Sequence, residues 1–179
     1  MIKYVLRLSL TLLAITAAVA VALACVNGVT AQRIAQSKQE KMRSAMAEVL
    51  PGAQDLQTVA FTDATGTVKN VYASAGGYVV EVAPSGFGGI ITMMVGINTD
   101  KTVNGISIVS HTETAGLGSV AAANTSAGEG FRQQFVGADS ELAVDKDGGT
   151  VDSITSATIT SRAVTAGVNA ALACVAALG

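Results

Sequence analysis

Residues 8–26 read LSLTLLAITAAVAVALACV, and this run decides which architectures the chain can adopt. No charged residue occurs between Arg7 and Arg33. A helix that rises about 1.5 Å per residue needs roughly 20 apolar residues to cross a hydrocarbon core of about 30 Å. The run therefore predicts a single transmembrane helix at residues 8–30, preceded by a short N-terminal segment of residues 1–7.

The same segment has features of a cleaved leader. Basic residues precede the apolar run, and Ala22-Leu23-Ala24 resembles a signal-peptidase site. Cys25 follows directly and suggests a lipoprotein, although such sites usually carry Leu where this chain has Ala22. Both alternatives stay open, and we expect a retained single-pass anchor surrounded by membrane lipid.

The charges that flank the span leave its orientation open. Two basic residues precede it, and four follow within about 20 residues, the range over which the positive-inside rule is counted: Arg33, Lys38, Lys41 and Arg43. This count places the body of the protein in the cytoplasm. Whole domains, however, translocate largely regardless of charge, so the count alone does not fix the topology.

Composition excludes several classes of protein. Half of the 179 residues are apolar and 13% are charged, which excludes an intrinsically disordered chain. Beyond residue 50 there are five basic and eleven acidic side chains, a net charge of −6 that argues against nucleic acid or an anionic lipid surface as partner. His111 is the only histidine and there is no CxxC motif, so we expect neither a metal site nor a catalytic residue.

Hydrophobic periodicity divides the remainder into a stalk and an α+β domain. A helix over residues 33–50, ended by Pro51-Gly52, predicts a helical stalk at residues 31–52. The domain over residues 53–179 then shows five β-rich runs and two helices. The predicted strands are residues 58–61, 68–72, 78–82, 90–98 and 103–110, with a hairpin turn at 98–101, and the predicted helices are 129–136 and 161–178.

These elements predict a twisted antiparallel sheet with flanking helices. Residues 161–178 also resemble a second membrane span, but Arg162 and Asn169 within this run argue against one. The expected fold class is therefore α+β, attached to one N-terminal transmembrane helix.

A glycine-rich motif, Glu113-Thr-Ala-Gly-Leu-Gly118, follows the last predicted strand. Gly116 and Gly118 allow the backbone to approach a ligand closely, while Leu117 between them can pack on an apolar surface. An ordinary glycine loop is the alternative interpretation.

A hydroxyl-rich motif precedes the last helix. Residues 152–162 read DSITSATITSR, with five hydroxyl side chains in the seven residues 155–161. A helix N-terminus favours a phosphate group, and the small Ser156 and Ala157 leave room for it. A cluster of N-cap residues is the alternative.

Together, the motifs resemble those of the FMN-binding domain family, and most closely those of the G subunits of Rnf electron-transport complexes. The family's flavin-attachment pattern is Asp, two residues, Ser or Thr, Gly, Ala, Thr, any residue, Thr or Ser. This chain matches it at Asp152, Thr155, Ala157, Thr158 and Thr160, with Ser156 in the place of Gly. Two further family signatures appear as Glu113–Gly118, with Ala115 in the place of Pro, and as Gly86-Phe-Gly-Gly-Ile90.

The resemblance implies a covalent flavin. Thr160 would carry FMN through a phosphoester that a separate, magnesium-dependent flavin transferase installs from FAD. An unassisted Thr hydroxyl is a poor nucleophile, and the sequence places no base beside it, which agrees with an external enzyme. The implied recognition residues are Asp152 and Thr158, and Thr155, Ser156 and Ala157 are further implied cofactor-binding residues. The residues implied to line the isoalloxazine ring are Glu113, Thr114, Gly116, Leu117 and Gly118.

The resemblance also implies a role and a location. The chain would be a redox subunit of an ion-translocating ferredoxin:NAD oxidoreductase, with other Rnf subunits as partners, with no catalytic activity of its own and with the FMN domain outside the cytoplasm. Two alternatives stay open: the related C subunit of the sodium-translocating NADH:quinone reductase, and a non-redox, membrane-anchored ligand-binding module. The sequence does not distinguish sodium ions from protons as the coupling ion.

Overall fold

The computed structural model describes residues 2–53, 55–63 and 65–178, so Met1, Gln54, Ala64 and Gly179 of the predicted segments lie outside the described residues. The chain divides into two units, one ending at Lys41 and one beginning at Met42. The elements in chain order are α1 (Ile2–Val49), β1 (Gln57–Val59), β2 (Val68–Ser74), β3 (Gly77–Val82), β4 (Thr92–Asn98), β5 (Val103–Ser110), α2 (Ser126–Gln133) and α3 (Thr158–Leu178). Short 3-10 helices occupy Gly118–Ala122 and Asp145–Asp147.

The first unit is α1 up to Lys41, and it contains the apolar run of residues 8–26. Its side chains are exposed along almost its whole length, and the helix is long and apolar enough to cross a membrane. The hydroxyls of Thr11, Thr16 and Thr30 donate to backbone carbonyls about one turn earlier, at 2.9–3.0 Å. Hydrogen bonds of this kind satisfy polar side chains within a hydrocarbon core. These features are consistent with the predicted single transmembrane helix.

Helix α3 is the other described helix that could span a membrane by length and composition. In the most apolar 18-residue stretch of α3, 56% of the residues are buried, whereas none are buried in the corresponding stretch of α1. Val164, Val168 and Val175 are 0–1% exposed and belong to the main hydrophobic core. We therefore assign α3 as a core helix.

The second unit is built on a five-stranded antiparallel sheet in the order β1-β2-β3-β4-β5. The predicted hairpin turn at residues 98–101 joins β4 to β5. In it, the Asp100 carboxylate accepts hydrogen bonds from the Thr102 hydroxyl at 2.6 Å and the Thr102 amide at 3.0 Å. These bonds stabilise the charged form and lower the pKa of the Asp100 carboxyl. The turn and the predicted fold class are confirmed.

The main core lies between one face of the sheet and helix α3. Val80 and Val82 of β3 and Met93 and Val95 of β4 are fully buried on this face, as the two-residue alternation of a strand requires. Phe131 and Phe135 add an edge-to-face aromatic pair with ring centroids 5.4 Å apart. The large buried side chains of the sheet thus hold α3, and with it the hydroxyl-rich motif, in place.

A smaller core lies on the other face of the sheet. Val79 and Met94 pack there against Ala45 and Val49, near the end of α1, and against Leu50. The side-chain amide of Asn104 donates to the Val49 carbonyl at 2.8 Å, and the Ser107 hydroxyl donates to Glu48 at 2.7 Å. The last two turns of α1 therefore belong to the folded domain.

Two glycines on this face differ in how closely they meet α1. Gly96 of β4 pairs with Gly105 of β5. A Cβ atom on Gly96 would overlap the carbonyl of Val49, whereas one on Gly105 would lie 3.6 Å from the Val49 Cα atom, an ordinary contact. Gly96 thus permits the close approach of helix and sheet.

We expect Gly96→Ala to lower the free energy of unfolding by about 1–3 kcal/mol, because the backbone must shift to admit the methyl group. Gly105→Ala is the matched control, and its effect should be much smaller. Denaturant unfolding of the full chain in detergent micelles, followed by tyrosine fluorescence, measures both. Equal losses for the two variants would contradict the helix–sheet contact as the cause.

Several predicted boundaries shift in the structure. The first strand was predicted at residues 58–61 and is Gln57–Val59. Ile90, predicted as the start of the fourth strand, forms only an isolated bridge to Ser85, and β4 begins at Thr92. Helix α2 was predicted at residues 129–136 but begins at Ser126, because the Thr125 side chain caps it by accepting a hydrogen bond from the Gly128 amide.

Candidate functional site

A cleft of about 350 Å³ brings the two sequence motifs together. Its volume is within the range of small-molecule sites, about 300–1,000 Å³. Eight of the eleven predicted site residues line it: Glu113, Thr114, Leu117, Gly118, Ser156, Ala157, Thr158 and Thr160. Phe87 and Ile159 complete the lining and were not among the predicted site residues.

The other three predicted residues do not line the cleft. Asp152 is exposed, and its backbone is held by the Gln134 side chain, which accepts from the Asp152 amide at 2.7 Å and donates to its carbonyl at 3.2 Å. Thr155 is exposed in the turn before α3. Gly116 has a φ of +77° at the tip of its loop, where its amide donates to the Ser119 hydroxyl. Their exposure leaves them accessible to another protein.

The centre of the site is a hydrogen bond between Thr160 and Glu113. The Thr160 hydroxyl donates to Glu113 Oε2 at 2.5 Å, across 47 residues of sequence. Thr160 is 1% exposed and Glu113 is 8% exposed. The other carboxylate oxygen, Oε1, accepts from the Gly88 amide at 3.0 Å. The expectation that no base lies beside Thr160 was therefore wrong, because the fold supplies a carboxylate from a distant loop.

The backbone around this pair leaves no room for a further side chain. A Cβ atom on Gly118 would lie 2.5 Å from both Glu113 Oε2 and the Thr160 hydroxyl oxygen. A Cβ atom on Gly86 would overlap Glu113 Oε1. The glycine motifs around residues 86 and 118 therefore enclose the carboxylate and hold it against the hydroxyl.

The first turn of α3 provides an electropositive end to the cleft. The Ser161 amide donates to the Ala157 carbonyl, which begins the helical hydrogen bonding. The amides of residues 158–160 are in the first turn, where no intrahelical acceptor exists, and the helix dipole adds positive potential there. The Ser161 hydroxyl holds the segment that precedes the helix: it accepts a hydrogen bond from the Ile154 amide and donates one to the Ala157 carbonyl. A phosphate group is therefore favoured at this end.

Apolar side chains form the outer part of the cleft. Phe87 is 69% exposed, Leu117 is 41% exposed and Ile159 is 50% exposed. All three line the cleft while leaving much of their surface open to solvent. A planar aromatic ring packed against them would bury this surface.

Charged residues anchor the segment that leads into α3. Arg162 forms a two-point ion pair with Asp147, through Nε at 2.7 Å and Nη2 at 2.5 Å, and this lowers the pKa of the Asp147 carboxyl. Asp145 accepts a hydrogen bond from the Ser153 amide at 3.0 Å, and its hydrogen bonds to Ser153 and Lys146 lower its pKa as well. The hydroxyl-rich motif is thereby held at both of its ends.

Ser156 adopts a left-handed backbone conformation with a φ of +61°. Glycine adopts this conformation without steric cost, whereas an L side chain pays roughly 1–2 kcal/mol. The position is the one at which the attachment pattern of the resembled family has Gly. With Ser in place of Gly, position 156 therefore keeps the left-handed backbone turn but carries local strain.

We expect Ser156→Gly to raise the free energy of unfolding by about 0.5–1 kcal/mol, since relief of strain exceeds the added flexibility of the unfolded chain. Ser140→Gly is the control, because Ser140 is exposed and does not have a positive φ. Thermal unfolding of the two full-length variants in the same micelles compares them. A stabilisation by Ser140→Gly of the same size would rule out strain at Ser156 as the cause.

Comparison with known proteins identifies the family of the chain. Residues 86–173 match the FMN-binding domain family, a range that contains every residue lining the cleft. The chain is 34% identical to the G subunit of the Na(+)-translocating ferredoxin:NAD(+) oxidoreductase complex of Acetobacterium woodii, over 93% of the chain and 89% of that protein. The chain belongs to this family of G subunits.

G subunits from other organisms are similar to the chain to the same degree. The G subunit of the ion-translocating oxidoreductase complex of Methanosarcina acetivorans is 32% identical over 90% of the chain and 89% of that protein. Its counterpart of the same name from Pseudomonas aeruginosa is 34% identical over 83% of the chain and 78% of that protein. The alignments extend well beyond the FMN-binding domain, so the likeness to these G subunits includes most of the chain.

The residues of the cleft fit an FMN molecule. The helix N-terminus and the Thr160 hydroxyl suit its phosphate, and the apolar mouth at Phe87, Leu117 and Ile159 suits its ring system. Glu113 lies at the hydroxyl end of the cleft, where it is bound to Thr160.

Proposed function

We propose that this chain is the electron-carrying flavoprotein subunit of a membrane-bound, ion-translocating ferredoxin:NAD oxidoreductase, with FMN bound in the cleft. Support comes from membership of the G-subunit family and from the name of the A. woodii relative. FMN supplies the redox chemistry, and the chain binds and orients it. We expect no independent catalytic activity from the chain.

The proposed attachment is a phosphoester between FMN and Thr160. The observation that carries it is a buried threonine hydroxyl that lines an apolar cleft at the start of a helix. Residues 158–160 would hold the phosphate through their amides, and Phe87, Leu117 and Ile159 would hold the ring. Asp152, which is exposed beside the site, and Thr158, which is half-buried, would be recognised by the flavin transferase that installs the group.

The proposed organisation places a cytoplasmic N-terminus at residues 1–7, a span at 8–30, a stalk at 31–52 and the FMN-binding domain at 53–179. The domain lies on the extracytoplasmic side of the cell membrane. The other subunits of the complex are its partners, and lipid surrounds the span.

The intact mass of the full-length chain tests the proposal. Produced in a host that contains the flavin transferase, the chain should gain the mass of FMN less one water. An unmodified mass from such a host would favour the non-redox ligand-binding module. Co-purification of an iron–sulfur, ferredoxin-oxidising subunit distinguishes the proposed complex from the sodium-translocating NADH:quinone reductase.

A further inference from the structure

We propose that the basic residues that follow the membrane span form a collar that binds anionic phospholipid headgroups. The collar consists of Arg33, Lys38 and Lys41, at the end of the first unit. This inference rests on the proposed span at residues 8–30 and not on the attachment of FMN. It goes beyond the proposed function because it assigns a ligand to the residues next to the span.

The position of Arg33 along α1 matches the level of the lipid headgroups. Arg7 and Arg33 are the charged residues nearest to the apolar run on its two sides, and the same helix contains both. They are 26 residues apart, which corresponds to about 39 Å at roughly 1.5 Å per residue. A bilayer is about 40–45 Å thick with its headgroup regions and about 30 Å thick without them. Both cations can therefore lie at headgroup level at the same time.

The two lysines widen the collar. Lys38 and Lys41 lie about 7.5 Å and 12 Å beyond Arg33 along the helix axis, and at roughly 100° per residue they are about 140° and 80° away around it. Lysine side chains are long enough to turn their charged ends back towards a membrane surface. The collar thus presents positive charge to more than one neighbouring lipid.

The collar is exposed and is not neutralised by the described part of the chain. All three side chains are exposed, and no ion pair between described residues involves them. Glu40 is the one acidic residue among residues 31–47, so this segment is net positive. The chain beyond residue 50 has a net charge of −6 and is repelled by an anionic surface. The attraction to anionic lipid is therefore confined to the helix.

The proposed orientation adds to the argument. With a cytoplasmic N-terminus, the collar lies on the side of the membrane where the positive-inside rule expects few basic residues. Headgroup phosphates supply the counter-charge there, and each Lys or Arg near an anionic surface strengthens binding roughly fivefold. Lipid also surrounds the span without any other subunit, so the chain alone should show this binding.

The lipid selectivity of the full-length chain tests the inference. The chain is reconstituted in phosphatidylcholine vesicles that contain a trace of spin-labelled phosphatidylglycerol or spin-labelled phosphatidylcholine. Electron spin resonance then measures the fraction of each label that the protein immobilises. We expect phosphatidylglycerol to associate severalfold more strongly. This preference should shrink between about 0.1 M and about 1 M salt, because the Debye length falls from about 10 Å to about 3 Å.

A charge-removing variant and a charge-preserving control assign the preference to the collar. The triple variant Arg33→Gln, Lys38→Gln, Lys41→Gln should lose the larger part of it, and glutamine keeps a high helix propensity at these exposed positions. Lys3 and Arg7, at the other end of the span, account for the remainder. The control Arg33→Lys, Lys38→Arg, Lys41→Arg should keep the full preference. A full preference in the glutamine variant, or its loss in the control, overturns the collar.

Carbonate extraction of the same vesicles separates this inference from the proposed membrane span. A wild-type chain that stays in the vesicles but binds both lipids equally overturns the collar and leaves the span and the flavoprotein role intact. A wild-type chain that carbonate releases overturns both the span and the collar. The intact mass, which reports FMN, is independent of either result.

Discussion

Replacing Thr160 with Ala is expected to remove all covalently bound FMN from the chain. The substitution deletes the one hydroxyl that is buried in the cleft and directed at Glu113, and alanine offers no oxygen for a phosphoester. Fluorescence of the band on a denaturing gel and the intact mass both measure the loss. The flavin fluorescence of the band should fall from the wild-type intensity to background.

Thr165→Ala is the control for this prediction. Thr165 is in the same helix and is 4% exposed, but its hydroxyl donates to the Ser161 carbonyl and it does not line the cleft. Its replacement should leave FMN attachment unchanged. Persistent fluorescence in Thr160→Ala would mean that Thr158, Ser161 or another hydroxyl carries the flavin, and peptide mass mapping would identify it.

Replacing Phe135 with Ala is expected to lower the free energy of unfolding by about 3–5 kcal/mol. The Phe135 side chain is fully buried and packs edge-to-face against Phe131, so its removal leaves a cavity and breaks the aromatic pair. Because domains of this size have a total stability of about 5–15 kcal/mol, the loss is a large part of it. Urea unfolding of the full chain in micelles measures the change.

Phe87→Ala is the matched control, since Phe87 has the same side chain but is 69% exposed. Its replacement should change the free energy of unfolding by less than about 0.5 kcal/mol. Comparable losses for the two variants would contradict the assignment of Phe135 to the core.

Local patterns in the sequence were sufficient to predict most of the sheet and the membrane helix. The β-branched residues around Val79 and Val80, and the turn that follows Asn98, are signals contained within a few neighbouring residues. The apolar run before Arg33 is equally local. The strands were confirmed because short-range preferences and tertiary packing favour the same structure.

The predicted helix boundaries were wrong where a capping residue or a backbone conformation determines where the helix begins or ends. Helix α2 was predicted at residues 129–136, but the cap at Thr125 starts the helix at Ser126 and it ends at Gln133. Helix α3 begins at Thr158, three residues before the predicted start, directly after Ser156 in its left-handed turn and the buried Ala157. Such features depend on individual φ angles and hydrogen bonds, which hydrophobic periodicity does not report.

The contact at the centre of the site was not predictable from local pattern. Glu113 and Thr160 were each identified as site residues, but within motifs that were interpreted separately. Their hydrogen bond depends on how the loop after β5 meets the start of α3, across 47 residues. A buried carboxylate beside a buried hydroxyl is a product of the tertiary structure, and no spacing rule within either motif reveals it.

The packing of Val49 and Leu50 on the sheet has a consequence for any soluble form of this protein. A protein shortened to begin after Leu50 would leave Val79 and Met94 open to water on a face of the sheet that is normally covered. Such a fragment would expose an apolar surface and tend to aggregate. Release of a well-behaved domain, whether by a protease or by recombinant truncation, therefore requires a cut upstream of Met42.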